Sequence, residues 1–204
     1  MSKAKINKLR LYCYADETGP DTEGKMFLVA VVITTGELRE AIERGLEGLE
    51  EKSGKGLLKW KLTSISKKQS YLLGILRIGA LQGSLFYAVY RDTKDYLKLV
   101  SLTIAEAIIA FSQDKDYQAT IYIDGLRKNE RKEVVRFLKG IKRRKVGGLR
   151  DESSAYIRLA DALAGFFRDY EEGKPYTKEL FQLFSSGRRR GTHRTQRTFV
   201  QKLA

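Results

Sequence analysis

Apolar and polar residues alternate from position 9 to 16, with Leu11, Cys13 and Ala15 on one side and Tyr12, Tyr14 and Asp16 on the other. A period of two predicts a half-buried strand. Residues 17 to 25, with Thr18, Gly19, Pro20, Asp21 and Gly24, read as a turn. Met26 to Ile33 is a nearly continuous apolar run with β-branched residues, which predicts a strand buried on both faces and hairpinned with the first. Thr34-Thr35-Gly36-Glu37 reads as a capping box. Leu38, Ile42, Leu46 and Leu49 follow at helical spacing, and Ser53 to Gly56 closes that helix.

Leu57 to Leu62 is expected to be a short extended piece, with Leu58 and Trp60 turned away from Lys59 and Lys61. A helix from Ser66 to about Gly79, a strand over 83–92 and a long helix over 92–112 come next, the last carrying Leu99, Leu102, Ala105, Ile108 and Ile109. Tyr117 to Asp124 predicts a strand. Asn129 to Lys142 predicts a basic helix with Val134, Val135, Leu138 and Ile141 inward, and 145–150 an edge strand or loop. Ser153 or Ser154 caps a final long helix reaching Tyr170, and Leu180, Phe181, Leu183 and Phe184 allow a short one after it. Helical patterns between strands give α/β layers: a mixed sheet, hairpin first, with helices on both faces. Residues 1–173 form one domain in this reading, and 174–204 a basic tail that ends in a polar segment expected to be mobile when unbound.

Charge adds a partner. The chain of 204 residues carries +14, and the excess is local. Residues 127–150 hold +9 and 174–204 hold +7, leaving −2 for the rest. A focused positive field attracts polyanions, which points to nucleic acid. The expected backbone contacts are Lys128, Arg131, Lys132, Lys142, Arg143, Arg144, Lys145, Arg158, Arg188, Arg189 and Arg190. No window nears the roughly 18 apolar residues of a membrane span, and the basic segments lack the apolar face of a membrane-surface helix. The N-terminus has no uninterrupted apolar stretch of a secretory signal. Cys13 is the only cysteine and reads as a small buried hydrophobe, so the expected compartment is the cytoplasm.

The candidate chemistry is acidic. Tyr14-Ala15-Asp16 and Tyr122-Ile123-Asp124 each end an apolar run and precede a turn. Asp16 shares a strand face with Tyr14, and Asp124 with Tyr122. Asp161, in Ala160-Asp161-Ala162-Leu163-Ala164-Gly165, lies beside the apolar stripe of the last long helix, where small neighbours allow close approach to the sheet. Carboxylates at neighbouring strand ends suit two Mg²⁺ or Mn²⁺ ions, which prefer oxygen ligands. Such a pair, about 3.5–4 Å apart, serves phosphodiester hydrolysis. Glu17 and Glu106 are rival fourth ligands, Glu106 because it interrupts the apolar stretch 102–109. Lys59 or Lys61 could assist at the phosphate. His193 is the lone histidine and lies in the tail, which disfavours His triads and zinc sites. No phosphate-binding glycine loop follows a strand.

Tyr14–Gly19 (YADETG), the apolar strand 26–33, LKWKLTS at 58–64, IYIDG at 121–125 and SSAYIRLADALAG at 153–165 together resemble the domain-of-unknown-function 3800 family, a prokaryotic and phage group regarded as ribonuclease H-like. This chain has Thr18 where the family usually has Ser, and Arg158 where it often has Gln. The resemblance implies a ribonuclease H-like mixed sheet with Asp16 on the first strand, Asp124 on the central parallel strand and Asp161 on the last helix. It implies no particular substrate. The leading expectation is therefore a divalent-metal-dependent nuclease. The alternative is a non-catalytic nucleic-acid-binding module of a defence or mobile-element system. DNA or RNA, single or double strand, and endo- or exonucleolytic action all stay open.

Overall fold

The computed structural model describes residues 8–150 and 153–185, together with the backbone of residues 201 and 202. Its strands are β1 (Leu9–Thr18), β2 (Phe27–Thr35), β3 (Leu85–Tyr90), β4 (Tyr117–Asp124), β5 (Arg143–Leu149) and β6 (Gln201–Lys202). Its helices are α1 (Arg39–Lys52), α2 (Ile65–Ile75), α3 (Tyr96–Ser112), α4 (Lys128–Phe137), α5 (Ala155–Glu171) and α6 (Thr177–Ser185). The sheet order is β5-β4-β1-β2-β3-β6. β1, β2 and β3 form an antiparallel meander, while β4 and β5 run parallel to β1. The mixed sheet and the leading hairpin follow the sequence pattern.

Strand alternation divides the core in two. On one face Tyr14, Leu28, Ala30, Val32 and Tyr87 pack with α1, α2, α5 and α6. On the other, Leu11, Cys13, Ala15, Val29, Val31 and Ile121 pack with α3 and α4. β2 is central, and eight of its nine residues are buried, as its unbroken apolar run requires. Cys13 is wholly buried, and burial pushes its thiol far above the ordinary range, which makes it inert.

Four local expectations change. Thr34 and Thr35 extend β2 instead of capping α1, whose N-cap is Leu38 with no side-chain bond. The inward stripe of α3 is Val100, Ile104, Ala107 and Ile108, while Leu102 and Ile109 face solvent. α4 stops at Phe137, short of Lys142. Gly140 then takes φ +99°, a conformation that glycine reaches without strain, and the chain turns back into β5 as an edge strand. Residues 57–62 are not extended: Trp60–Leu62 form a 3₁₀ turn. Their anchor is α5 and not a strand partner, as described below.

α6 confirms the short helix expected near Leu180. Leu180 and Phe184 are buried, and Phe181 stacks on Tyr170 of α5 at 3.8 Å. Among the described residues, no helix is long and apolar enough to cross a membrane.

Candidate active site

The parallel register of β1 and β4 fixes the first two acids. It pairs Tyr14 with Tyr122 and Ala15 with Ile123, so Asp16 and Asp124 are the next positions along the two strands. The repeated tyrosine has a structural purpose. The Tyr14 ring stacks between Tyr122 (5.5 Å) and Tyr156 of α5 (4.4 Å). Each such contact contributes about 0.5–1.5 kcal/mol beyond its burial. Arg39 donates from Nε to the Tyr14 hydroxyl at 2.7 Å, and the Tyr156 hydroxyl donates to the Arg39 carbonyl at 2.7 Å. Three elements that carry acids are thus locked together one pleat below those acids.

Asp16 is only 8% exposed and accepts the Glu17 backbone N–H on Oδ1 at 2.8 Å. Burial raises its carboxyl well above the usual range, and the charges of Glu17, Asp161 and Asp124 push it further. Glu17 pairs with Val29 and so points to the opposite sheet face from Asp16, toward Glu130 of α4. Burial, then Asp124 and Glu130, push its carboxyl up to about 7. Its Oε2 is buried and has no hydrogen-bond partner. Asp124 acts on both residues and is the electrostatic link between the two faces of the strand tips.

Asp161 enters from α5, and its position depends on Trp60. The Trp60 backbone N–H donates to Asp161 Oδ2 at 2.9 Å, while the indole Nε1–H donates to Asp169 Oδ2 at 3.0 Å. Between them lies Gly165, where a Cβ would come within 2.1 Å of Trp60 Cδ1. Asp161, Gly165 and Asp169 are spaced i, i+4 and i+8, which is one face of the helix. The Trp60 turn crosses this face, and the missing side chain lets it lie flat. Asp169 is buried and also accepts from Lys68 Nζ at 3.1 Å, from Lys174 and from the Tyr176 hydroxyl. Although burial opposes it, those donors hold the Asp169 carboxyl below its usual range. The small residues to Gly165 were expected to let the helix approach the sheet, but at Gly165 the close approach is to Trp60; Asp169 was overlooked, and its available signal was its i+8 spacing from Asp161.

Lys59 and Lys61 flank Trp60 and are exposed, so the turn that anchors Asp161 also carries both lysines. Asp21 is held low mainly by its hydrogen bonds with Arg168, and the Lys61 charge adds to this.

Glu106 is on α3, a helix that covers the other sheet face. Its charge acts there on the Tyr90 hydroxyl that is hydrogen-bonded to Thr103. The expectation for Arg158 is corrected. Its guanidinium is buried and makes a two-pronged pair with Glu50 of α1, Nε to Oε1 at 2.8 Å and Nη2 to Oε2 at 2.7 Å. The guanidinium is thus committed to a buried ion pair instead of being held out to solvent for a phosphate. Lys128, Arg131, Lys132, Lys142, Arg144 and Lys145 are exposed, and Arg143 is half-buried with Nη1 on the Leu138 carbonyl. Lys142 is taken up by Asp116 at 2.6 Å. Arg188, Arg189 and Arg190 lie outside the described residues.

Among the solved structures, the chain is similar to the crystal structure of ribonuclease H2 from Pyrococcus horikoshii OT3. The TM-score is 0.51 and the identity 18%, over 84% of this chain and 85% of that one. The fold is ribonuclease H-like. A chain of the PCNA:RNase HII complex from Archaeoglobus fulgidus is also similar, with a TM-score of 0.49 and 20% identity over 86% of this chain and 79% of that one. No family model and no curated protein matches the chain.

As the side chains stand, no three acidic, histidine or cysteine groups among the described residues are arranged to hold a metal ion. The donor set of the strand tips nevertheless fits a hard divalent cation. It is all carboxylate, the charges of neighbouring carboxylates raise Asp16 and Glu17, and the buried Glu17 Oε2 has no hydrogen-bond partner.

Proposed function

We propose that this protein is a divalent-metal-dependent nuclease that hydrolyses phosphodiester bonds of DNA or RNA. Asp16, Asp124 and Asp161 would hold Mg²⁺ or Mn²⁺, and Glu17, which points to the other sheet face but shares the field of Asp124, rivals Glu106 for a fourth position. The observation that carries this reading is the like-charge crowding at the strand tips, where every charge acting on Asp16 is another carboxylate. A buried carboxyl such as Asp16, raised by its carboxylate neighbours, is costly for a fold, and functional sites are where that cost is retained. The motif resemblance to the domain-of-unknown-function 3800 family and the ribonuclease H-like fold support the same reading.

Bound divalent ions supply a water of lowered pKa and neutralise charge on the oxygens of the phosphate. The chain's own part is positional. The tyrosine stack fixes β1 against β4, and the Trp60 amide fixes the Asp161 carboxylate. Lys59 and Lys61, on the same turn, supply positive charge for a phosphate at the rim. Glu17, with its carboxyl near neutrality, can hold or release a proton at Oε2.

A second reading, a nucleic-acid-binding module without catalysis, draws on the absence of a ready three-ligand group among the described residues. One assay separates the two: labelled single-stranded and duplex DNA and RNA, incubated with Mn²⁺ or with chelator. Metal-dependent cleavage that is lost in Asp124→Asn supports the nuclease. Binding that needs no metal, with no cleavage of any substrate, supports the module.

A further inference from the structure

A cationic groove lies on the far side of β4 from β1. Arg131 and Val135 of α4 form one wall, and Ile141 to Val146, at the start of β5, form the other, around a cavity of about 420 Å³. Arg131, Arg144 and Lys145 are exposed and have no acidic partner among the described residues. β5 is the edge of the sheet; Lys145 pairs with Thr120 and lies over the Tyr122 ring, while Arg144 is the extra, unpaired residue at an irregularity in the register between the pairs Ala119–Arg143 and Thr120–Lys145. The groove also connects to the acids. α4 starts just past Asp124, and its Glu130, next to Arg131, acts on Glu17. β5 runs beside β4 from the pair Ala119–Arg143 to the pair Asp124–Leu149.

The composition of the groove selects its ligand. No aromatic side chain lines it. The Tyr122 ring lies under the Lys145 ammonium at 5.5 Å and is stacked on Tyr14. Single strands are gripped by bases stacked on rings, whereas a duplex presents only phosphates to such a surface. The length is set by the strands. Five steps along β4, at about 3.3 Å each, span about 17 Å. At about 3.4 Å of duplex axis per phosphate of one strand, this corresponds to about five base pairs.

We propose that the α4–β5 edge is an exosite for the backbone of a nucleic-acid duplex, engaging about five base pairs on one flank only of the phosphate at the acid cluster. This rests on the nuclease reading for the position of the cut, but not for the binding.

The test uses the full-length Asp124→Asn protein in chelator, with binding of labelled 20-base-pair duplexes and matching single strands followed by anisotropy over a salt series. Replacing Arg131, Arg144 and Lys145 together by Ala is expected to lower the slope of log affinity against log salt by about 2–3. Between 50 and 200 mM salt, the unsubstituted surface would then lose about 40-fold more duplex affinity than the triple variant. A charge-matched control, K67A/R77A/K98A, is expected to leave the slope unchanged. An equal effect of the control, or single strands bound as tightly as duplex through the same three residues, would overturn the exosite. In a second arm, wild-type protein with Mn²⁺ is expected to spare about five base pairs at one end of a duplex, and the triple variant to lose that limit. Cuts reaching both ends alike would overturn the one-flank assignment. Absence of any cleavage would count against the nuclease reading alone and leave the binding arm to decide the exosite.

Discussion

Two aspartates two turns apart on α5 are treated in opposite ways. Asp169 is surrounded by donors: the Trp60 indole, Lys68, Lys174 and the Tyr176 hydroxyl, and its carboxyl is held low. Asp161, beside the strand tips, has a backbone amide from the same tryptophan and adds its charge to the already raised carboxyl of Asp16. The first is an acid whose environment was built to satisfy it. The second belongs to a group of carboxylates in which Asp16 and Glu17 are raised by their neighbours. Donor satisfaction marks a structural carboxylate, and mutual repulsion marks one retained for a ligand. One residue, Trp60, joins the two, so the stable cluster serves as the foundation of the unstable one.

The sharpest way to break this comparison is Asp124→Asn. Cleavage is expected to fall by more than about a hundredfold, a loss of about 2.7 kcal/mol of transition-state stabilisation, while the thermal midpoint holds or rises because a repelling charge is removed. Undiminished cleavage would remove Asp124 from the chemistry. Asp169→Ala is expected to do the reverse, costing about 3–5 kcal/mol of stability because Lys68 is left buried and unpaired. Denaturant unfolding measures it, and a change under 1 kcal/mol would show that the cluster is not the foundation claimed. Gly165→Ala is smaller, about 1–3 kcal/mol of overpacking against Trp60. Cleavage in this variant should drop beyond what its unfolded fraction explains, because the amide on Asp161 is displaced; activity that merely tracks folding would detach Trp60 from the site.

The pH dependence distinguishes the clusters most gently. Glu17 has a folded carboxyl near 7 against an ordinary 4.5, so the native state binds the proton more tightly. Its contribution to stability is present below the ordinary value and disappears as pH rises through about 7. Without metal, lowering the pH from about 7.5 to 5 should therefore stabilise the wild type relative to Glu17→Gln, by on the order of 2 kcal/mol. Asp169 is depressed, so its contribution holds at neutral pH and is lost as pH falls below about 4. Parallel stability curves for wild type and Glu17→Gln across 5–7.5 would contradict the crowding at the strand tips.

What was legible in the sequence follows the range of the interactions. β1, β2 and β4 were readable because alternation and apolar runs are local, and the parallel register then carried Asp16 beside Asp124. The Trp60 turn was misread as extended because its geometry depends on Asp161 and Asp169, 101 and 109 positions away. Arg158 was assigned to nucleic acid because charge alone does not reveal a partner, and Glu50 lies 108 positions earlier. Glu106 was noticed correctly as an oddity in an apolar helix, but no local pattern tells which sheet face a helix covers.

The ring ladder of Tyr122, Tyr14 and Tyr156 makes strand alignment and acid placement inseparable. A slip of β4 by one residue against β1 would turn Tyr122 away from Tyr14 and carry Asp124 to the opposite side of the sheet in the same movement. A chain that misaligns these strands forfeits its aromatic contacts together with its chemistry, so turnover in a refolding experiment would count only molecules that have found the right pairing.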